Sequence, residues 1–244
     1  MVKLFKLQKT EKEHEEKAQK MKDMMDDDSL PTVSIITPTF NRRHFYKLTI
    51  NTFLNIRYPK DKLEWIIVDD GTEEIEDTLI GIPNVKYIKL PEKMSIGQKR
   101  NIGIENAMYD YICMMDDDDV YPNNSILQRI IMLLKQPLKE CTFCTTIPCY
   151  DIEKYSSFMN VPPITLEMSQ RVSEATLCFT KKFWEERKFD GGARVSNFRV
   201  RPKRNYAQQE EEVPQPVCQP ALHFRLRTKR KLRHGPRQNS NILP

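Results

Sequence analysis

Four consecutive carboxylates, Asp116 to Asp119, close an apolar run from Tyr111 to Met115. Like charges this close repel one another, and burying any of them unpaired is costly. A hard divalent cation, Mg²⁺ or Mn²⁺, relieves that repulsion, since it takes oxygen ligands from one or two carboxylates and from substrate phosphates. Asp118, helped by Asp116, is the candidate metal pair. The competing reading is a solvated acidic turn before a helix, with Asp119 or Asn123 as its N-cap. Two further groups bear on the choice. Asp69-Asp70-Gly71 ends a second apolar run, LEWIIV, and a carboxylate at Asp70 could accept from a nucleobase N–H or a ribose hydroxyl. Taken alone, Asp-Asp-Gly is an ordinary turn. Thr37-Pro38-Thr39 with Asn41-Arg42 ends a third run, VSIIT, and its backbone could approach the same base.

Elements that would position these groups follow from the apolar pattern. Val33 to Thr37, Leu63 to Val68, Val85 to Leu90 and Tyr109 to Met115 read as strands, the first closed by Pro38. Asn41 to Asn55, Ser95 to Ala107 and Asn123 to Leu134 read as helices, with Ser95 as a candidate N-cap. Alternation of this kind predicts an α/β fold, a mostly parallel sheet with helices on both faces. In such a sheet the three strand ends lie on one edge, where open α/β sheets bind ligands. Between them, Ser95-Ile96-Gly97-Gln98-Lys99-Arg100-Asn101-Ile102-Gly103 offers a glycine for close backbone approach and a helix N-terminus suited to an anion. Arg100 could reach a phosphate or pair with a strand-end Asp. Its bland reading is a surface helix with ordinary Lys and Arg.

Further along, Thr142 to Ile147 reads as a strand, Tyr150 to Leu166 as a loop, Ser173 to Phe179 as a strand and Lys181 to Arg187 as a short helix. Three segments result: a charged extension at 1–30, helical or disordered; an α/β domain at 31–190; and a basic, Pro-rich tail at 191–244, expected to be disordered. The chain carries 39 Lys and Arg against 34 Asp and Glu, a net charge of +5. That balance hides a segregation, because the tail holds 12 basic and 3 acidic residues while the rest is mildly acidic. Whether the tail is a native extension or a departure from an ancestral reading frame stays open. Nucleic acid is the partner that a basic tail over 194–237 would take, through sequence-independent phosphate contacts. Few aromatics are interleaved there, and a solvated tail is the simpler reading.

Six cysteines are present. Most sit in apolar runs, where a free thiol acts as a small hydrophobe. Cys141 and Cys144 form a CxxC, but no second pair and no His at zinc spacing follows. A reducing compartment fits. The start, MVKLFKLQKTEKEHEEK, has no apolar h-region, and no apolar run reaches the ~18 residues of a membrane span. The expectation is a cytoplasmic protein with no transmembrane segment.

VSIITPTFNR, IIVDDG and GQKRNIGIENAMYDYICMMDDDDVYPN, in this order and spacing over Val33 to Leu134, resemble a family 2 glycosyltransferase of the GT-A fold. The likeness fades towards Arg187. It implies a nucleotide-diphospho-sugar donor, a UDP- or GDP-sugar, and a divalent metal at the Asp-x-Asp motif, here Asp116-Asp117-Asp118. By the same resemblance Asp70 contacts the base, Thr37 and Thr39 belong to the donor loop, Asp117 lies near the ribose, and Arg100 helps order the donor site. Transfer in such enzymes typically inverts the anomeric carbon, with a carboxylate general base in the acceptor half. In this chain the corresponding stretch, from Phe189 onward, holds no such acid before Glu210. Asp190 comes too early, and Glu174, at the start of a predicted strand, is the remaining candidate. A family-like protein without transfer activity, or one acting through its basic tail, is therefore the alternative. A nucleotidyltransferase ranks lower, because TPTFNRR lacks the glycine such a loop needs.

Overall fold

The computed structural model describes residues 29–136, 140–151, 154–190 and 224–227. The central sheet has six strands in the order β3-β2-β1-β4-β9-β6: β1 (Val33–Thr39), β2 (Leu63–Asp69), β3 (Val85–Lys89), β4 (Tyr111–Met114), β6 (Cys141–Thr142) and β9 (Cys178–Thr180). The first four are parallel; β9 runs antiparallel to both β4 and β6. Every residue of β1 and β2 is buried, as expected of strands covered on both faces.

Period-two alternation sends their side chains into two cores. Val33, Ile35, Trp65, Ile67 and Cys113 face α1 (Tyr46–Leu54) and α3 (Ser125–Leu134), and Trp65 stacks on Phe53 at 4.7 Å between ring centroids. Ile36, Ile66, Val68, Ile112 and Met114 face α2 (Ile96–Glu105) and α4 (Lys181–Glu186), where Ile104, Phe183 and Trp184 pack. Burial on this scale, at about 25 cal/mol per Å² of apolar surface, is what sustains the layers. Gly103 lets α2 lie close on the sheet, since a Cβ there would meet the Ile36 Cγ2 at 2.5 Å.

The predicted α/β fold with its mostly parallel sheet is present, and several boundaries differ for physical reasons. β1 continues past Pro38 to Thr39. Beyond Ile36 it pairs only with β2, so the missing N–H of proline costs no bond to β4. The first helix begins later than expected, after a 3-10 turn at Arg43–Phe45. Ser95 caps α2 as predicted: its hydroxyl accepts from Gln98 N–H at 3.2 Å while the Gln98 side chain returns to Ser95 N–H at 2.9 Å. The α3 cap position is Asn124, without a side-chain cap bond, and not Asp119 or Asn123.

The second half was read less well. A four-stranded sheet, in the order β5-β10-β7-β8, joins β5 (Asp119–Val120), β7 (Ile147–Asp151), β8 (Ser156–Asn160) and β10 (Phe224–Arg227). The stretch expected to be a loop, Tyr150 to Leu166, thus contains most of a hairpin, turned at Tyr155 with φ of 49°. All five β8 residues are exposed, so no buried face imprints an alternating pattern on the sequence. Thr142 to Ile147 is no single strand. Cys144 N–H is held by the Thr176 hydroxyl and its C=O by Ser173 N–H, outside any ladder. Ser173 to Phe179 opens instead as a 3-10 turn at Glu174–Thr176 before β9. The expected disorder of 1–28, 191–223 and 228–244 lies outside the described residues. Phe224–Arg227, within the supposed tail, is a strand paired to β5 and β7, too short to carry a periodic signal.

Candidate functional site

The carboxyl ends of β1, β2 and β4 meet at one edge, and the side chains there are joined to one another. Thr39, the last residue of β1, donates its hydroxyl to Asp117 Oδ2, tying the first strand end to the acidic cluster. The Thr39 C=O accepts from the Lys99 ammonium at 2.7 Å, and the same ammonium pairs with Asp70 Oδ1 at 2.7 Å. The other Asp70 oxygen accepts from Met94 N–H at 2.7 Å, just ahead of the α2 cap. The loops after β1 and β2 are clamped by Asn41. Its backbone sits at φ 51°, a left-handed conformation that Asn tolerates. Its amide oxygen accepts from Thr72 N–H at 2.6 Å and Glu73 N–H at 3.1 Å.

The four aspartates alternate. Asp117 and Asp119 are buried, while Asp116 and Asp118 are half-buried. Arg42 reaches Asp118 at 3.4 Å. Arg100 is buried and lies between two acids: Asp116 at 3.3 Å and the Glu174 carboxylate, which it contacts closely. Burial works against its charge, yet Asp116 and Glu174 together hold its pKa above the ordinary value. Asp117 shows the opposite balance. Burial, with Asp118 and Asp116 nearby, pushes its carboxyl up to about 7 despite the Thr39 bond and Arg42.

These donors suit a hard cation: all are oxygens, and Asp116 and Asp118 are the more exposed pair. Among the described residues no group of three or more His, Cys, Asp or Glu side chains converges as a ready-made cage. Two carboxylates plus substrate phosphates remain a sufficient ligand set for Mg²⁺ or Mn²⁺. Burial pushes the Cys141 thiol up to about 12, so Cys141 is no reactive thiolate at neutral pH.

Of the residues singled out from sequence, Thr39, Asp70, Arg100, Asp116, Asp117 and Asp118 come together here. Thr37 does not reach the edge with its side chain; it is buried, and its hydroxyl accepts from Trp65 Nε1 at 2.8 Å. Glu174 arrives on a 3-10 turn rather than a strand, beside Arg100. Gly97 is required by a close approach, though not by an anion: a Cβ there would lie 2.2 Å from the Asp190 carbonyl oxygen. Asn101 fixes that segment, donating to Phe189 C=O at 2.9 Å and accepting from its N–H at 3.0 Å. Sequence reasoning named Lys99 and Asn41 within their segments but gave neither a role of its own. A lysine one position before Arg100 and an asparagine one position before Arg42 were the available signals.

An α/β sheet of this topology is the GT-A fold, and solved structures agree. The chain superposes on Staphylococcus aureus TarS 1-349 with a TM-score of 0.53 at 15% identity, over 68% of this chain and 52% of that one. It matches the Pyrobaculum calidifontis mannosyltransferase PcManGT with a TM-score of 0.51 at 15% identity, over 72% and 53%. An uncharacterized glycosyltransferase of Haemophilus influenzae is 31% identical over 115 residues, 45% of each chain. The model of glycosyl transferase family 2 matches residues 34–200, and the chain belongs to that family. It spans about half the length of the relatives named here. Among the described residues no helix is long and apolar enough to cross a membrane.

Proposed function

We propose that this chain binds a nucleoside diphosphate hexose, a UDP- or GDP-sugar, and passes the sugar to an acceptor hydroxyl with inversion. The observation that carries the reading is the joined donor edge, where Thr39, Asp70, Lys99, Arg100 and the Asp116–Asp118 run form one bonded network. Structural neighbours support the donor class: TarS was solved with UDP-GlcNAc, and PcManGT with GDP-Man and Mn²⁺. In this reading Asp70 accepts from the base, Asp117 lies near the ribose, and the Thr37–Thr39 backbone lines the donor. Asp116 and Asp118 hold a divalent cation, Mn²⁺ or Mg²⁺, which when bound neutralises charge on the departing diphosphate. Arg42 and Arg100 flank those acids and add fixed positive charge at the same place, already desolvated in the case of Arg100.

The general base is the open position. Glu174 is ion-paired to buried Arg100, so its carboxylate is already engaged by a fixed partner. The role supported for it is holding Arg100 against Asp116, not accepting the acceptor proton. The reading includes a reducing compartment, consistent with five free cysteines among the described residues.

The test is calorimetry of the full chain with UDP- and GDP-sugars, with and without Mn²⁺, alongside assay of released nucleoside diphosphate. Metal-dependent binding is expected. Absence of binding to every sugar nucleotide in the panel would remove the proposal. Binding without release would retain the donor site and remove transfer by this chain alone.

A further inference from the structure

The last ladder bond between β4 and β1 runs from Met115 N–H to Ile36 C=O at 3.0 Å. Beyond Ile36, β1 pairs only with β2, so the Asp116 N–H has no place in a strand ladder. A backbone N–H there needs a partner from outside the sheet. Tyr121 supplies it. Its hydroxyl accepts from Asp116 N–H at 2.8 Å and donates to Ala175 C=O at 3.0 Å. Tyr121 is itself buried, with its ring 5.7 Å from the Arg129 guanidinium. Arg129, on α3, donates to Met114 C=O at 3.0 Å and to Leu177 C=O at 3.4 Å. Side chains thus join the end of β4 to residues 174–177 twice through backbone groups. Arg100 joins them a third time, through the Asp116 and Glu174 carboxylates. Asp117 is held from elsewhere: its carbonyl accepts from the Thr49 hydroxyl of α1 at 2.8 Å, and its carboxylate from Thr39. Asp116 alone has both its N–H and its carboxylate tied to the short turn Glu174–Thr176.

We propose that Tyr121 is a positioning residue for the divalent cation: by bonding the Asp116 N–H to the Glu174–Thr176 turn, it sets where the Asp116 carboxylate meets the metal. The inference rests on the metal pair proposed above and adds the group that holds one of its ligands in place. The direction of a carboxylate follows from the backbone that carries it, and partners behind a metal ligand fix that direction. Without the hydroxyl, Asp116 keeps its pairing with Arg100 but loses the anchor of its backbone. The cation then meets a ligand that must be ordered on binding, and the cost appears as weaker metal affinity. Tyr58 is a matched contrast. It too is buried, and its hydroxyl donates to Pro31 C=O at 2.6 Å, at the opposite end of β1.

The experiment titrates Mn²⁺ into the full chain with UDP or GDP present, followed by the electron paramagnetic resonance signal of free Mn²⁺. Calorimetry of the same nucleotide at saturating Mn²⁺ and a urea midpoint accompany it. Tyr121→Phe should raise the half-saturating Mn²⁺ about tenfold, the low end for loss of a partner behind a metal ligand. Its nucleotide affinity at saturating Mn²⁺ should equal the parent's. Tyr58→Phe removes a hydroxyl of the same kind; it should lower the urea midpoint as Tyr121→Phe does and leave the Mn²⁺ titration unmoved. A folded Tyr121→Phe protein with the parent's Mn²⁺ titration overturns the inference. So does an equal shift in Tyr58→Phe, since the effect would then follow stability alone. Should Tyr121→Phe fail to fold, Tyr121→4-aminophenylalanine decides, because its amino group keeps the bond to Ala175 C=O but accepts poorly from Asp116 N–H. A tenfold rise there supports the assignment, and the parent's titration overturns it. Failure of the parent chain to take up Mn²⁺ removes the metal pair itself, and this inference with it.

Discussion

The edge where β1, β2 and β4 end and the β7–β8 hairpin are built on opposite terms. At the edge, Arg100, Lys99, Asp117 and Asp70 are buried charged groups, each engaged by a neighbour from another segment. On and beside β8, the strand at the sheet's margin, Tyr155, Phe158, Met159, Val161 and Ile164 are exposed apolar groups. One region is fixed before any ligand arrives; the other contributes little to holding itself. The contrast teaches where a substitution will be felt, because an unpaired buried charge is costly and a trimmed exposed side chain is not.

The comparison breaks most readily at Arg100. Arg100→Ala leaves Asp116 and Glu174 facing each other in a half-buried site and should cost about 3–5 kcal/mol, read as a lowered urea midpoint. A loss below about 1 kcal/mol would mean the edge is no more fixed than the hairpin. Gly97 comes next, at the seam where the Phe189–Asp190 segment docks on α2. Gly97→Val must displace a carbonyl lying 2.2 Å from a modest Cβ, at a cost of about 1–3 kcal/mol. The same chemical denaturation reads it, and an unchanged midpoint would show that the segment yields freely.

Asp118→Ala separates binding from folding. Its pairing with Arg42 is long, at 3.4 Å, and partly solvated, so stability should move by less than about 1 kcal/mol. Mn²⁺-dependent nucleotide binding should disappear. Equal calorimetric affinity with and without metal in the variant and the parent would count against the metal pair. The smallest effect is expected at the hairpin, where Phe158→Ser, at a side chain on a residue 42% exposed, should change stability by under about 0.5 kcal/mol. A drop of several kcal/mol there would show that the exposed face is covered in solution.

The sequence by itself determined the parallel sheet and the edge at which its acidic strand ends meet. Val33 to Thr37 and Leu63 to Val68 are mostly apolar because strands buried on both faces need no polar side, and their buried Ser34 and Glu64 bond each other. Ser95 announced the α2 cap because capping is a local interaction, which the structure completes within four residues through Gln98. Only the tertiary structure decided which polar groups face one another. Thr37 and Thr39 differ by one pleat repeat, yet Thr37 bonds Trp65 in the core while Thr39 reaches Asp117. Lys99 and Asp70 are 29 positions apart, Arg100 and Glu174 are 74, and no periodicity connects such pairs. β8 was illegible for a related reason: an edge strand with no buried face leaves no alternation to read. Local propensity and burial pattern are written along the chain, whereas the partner of a buried charge is set by which strand ends the sheet brings together.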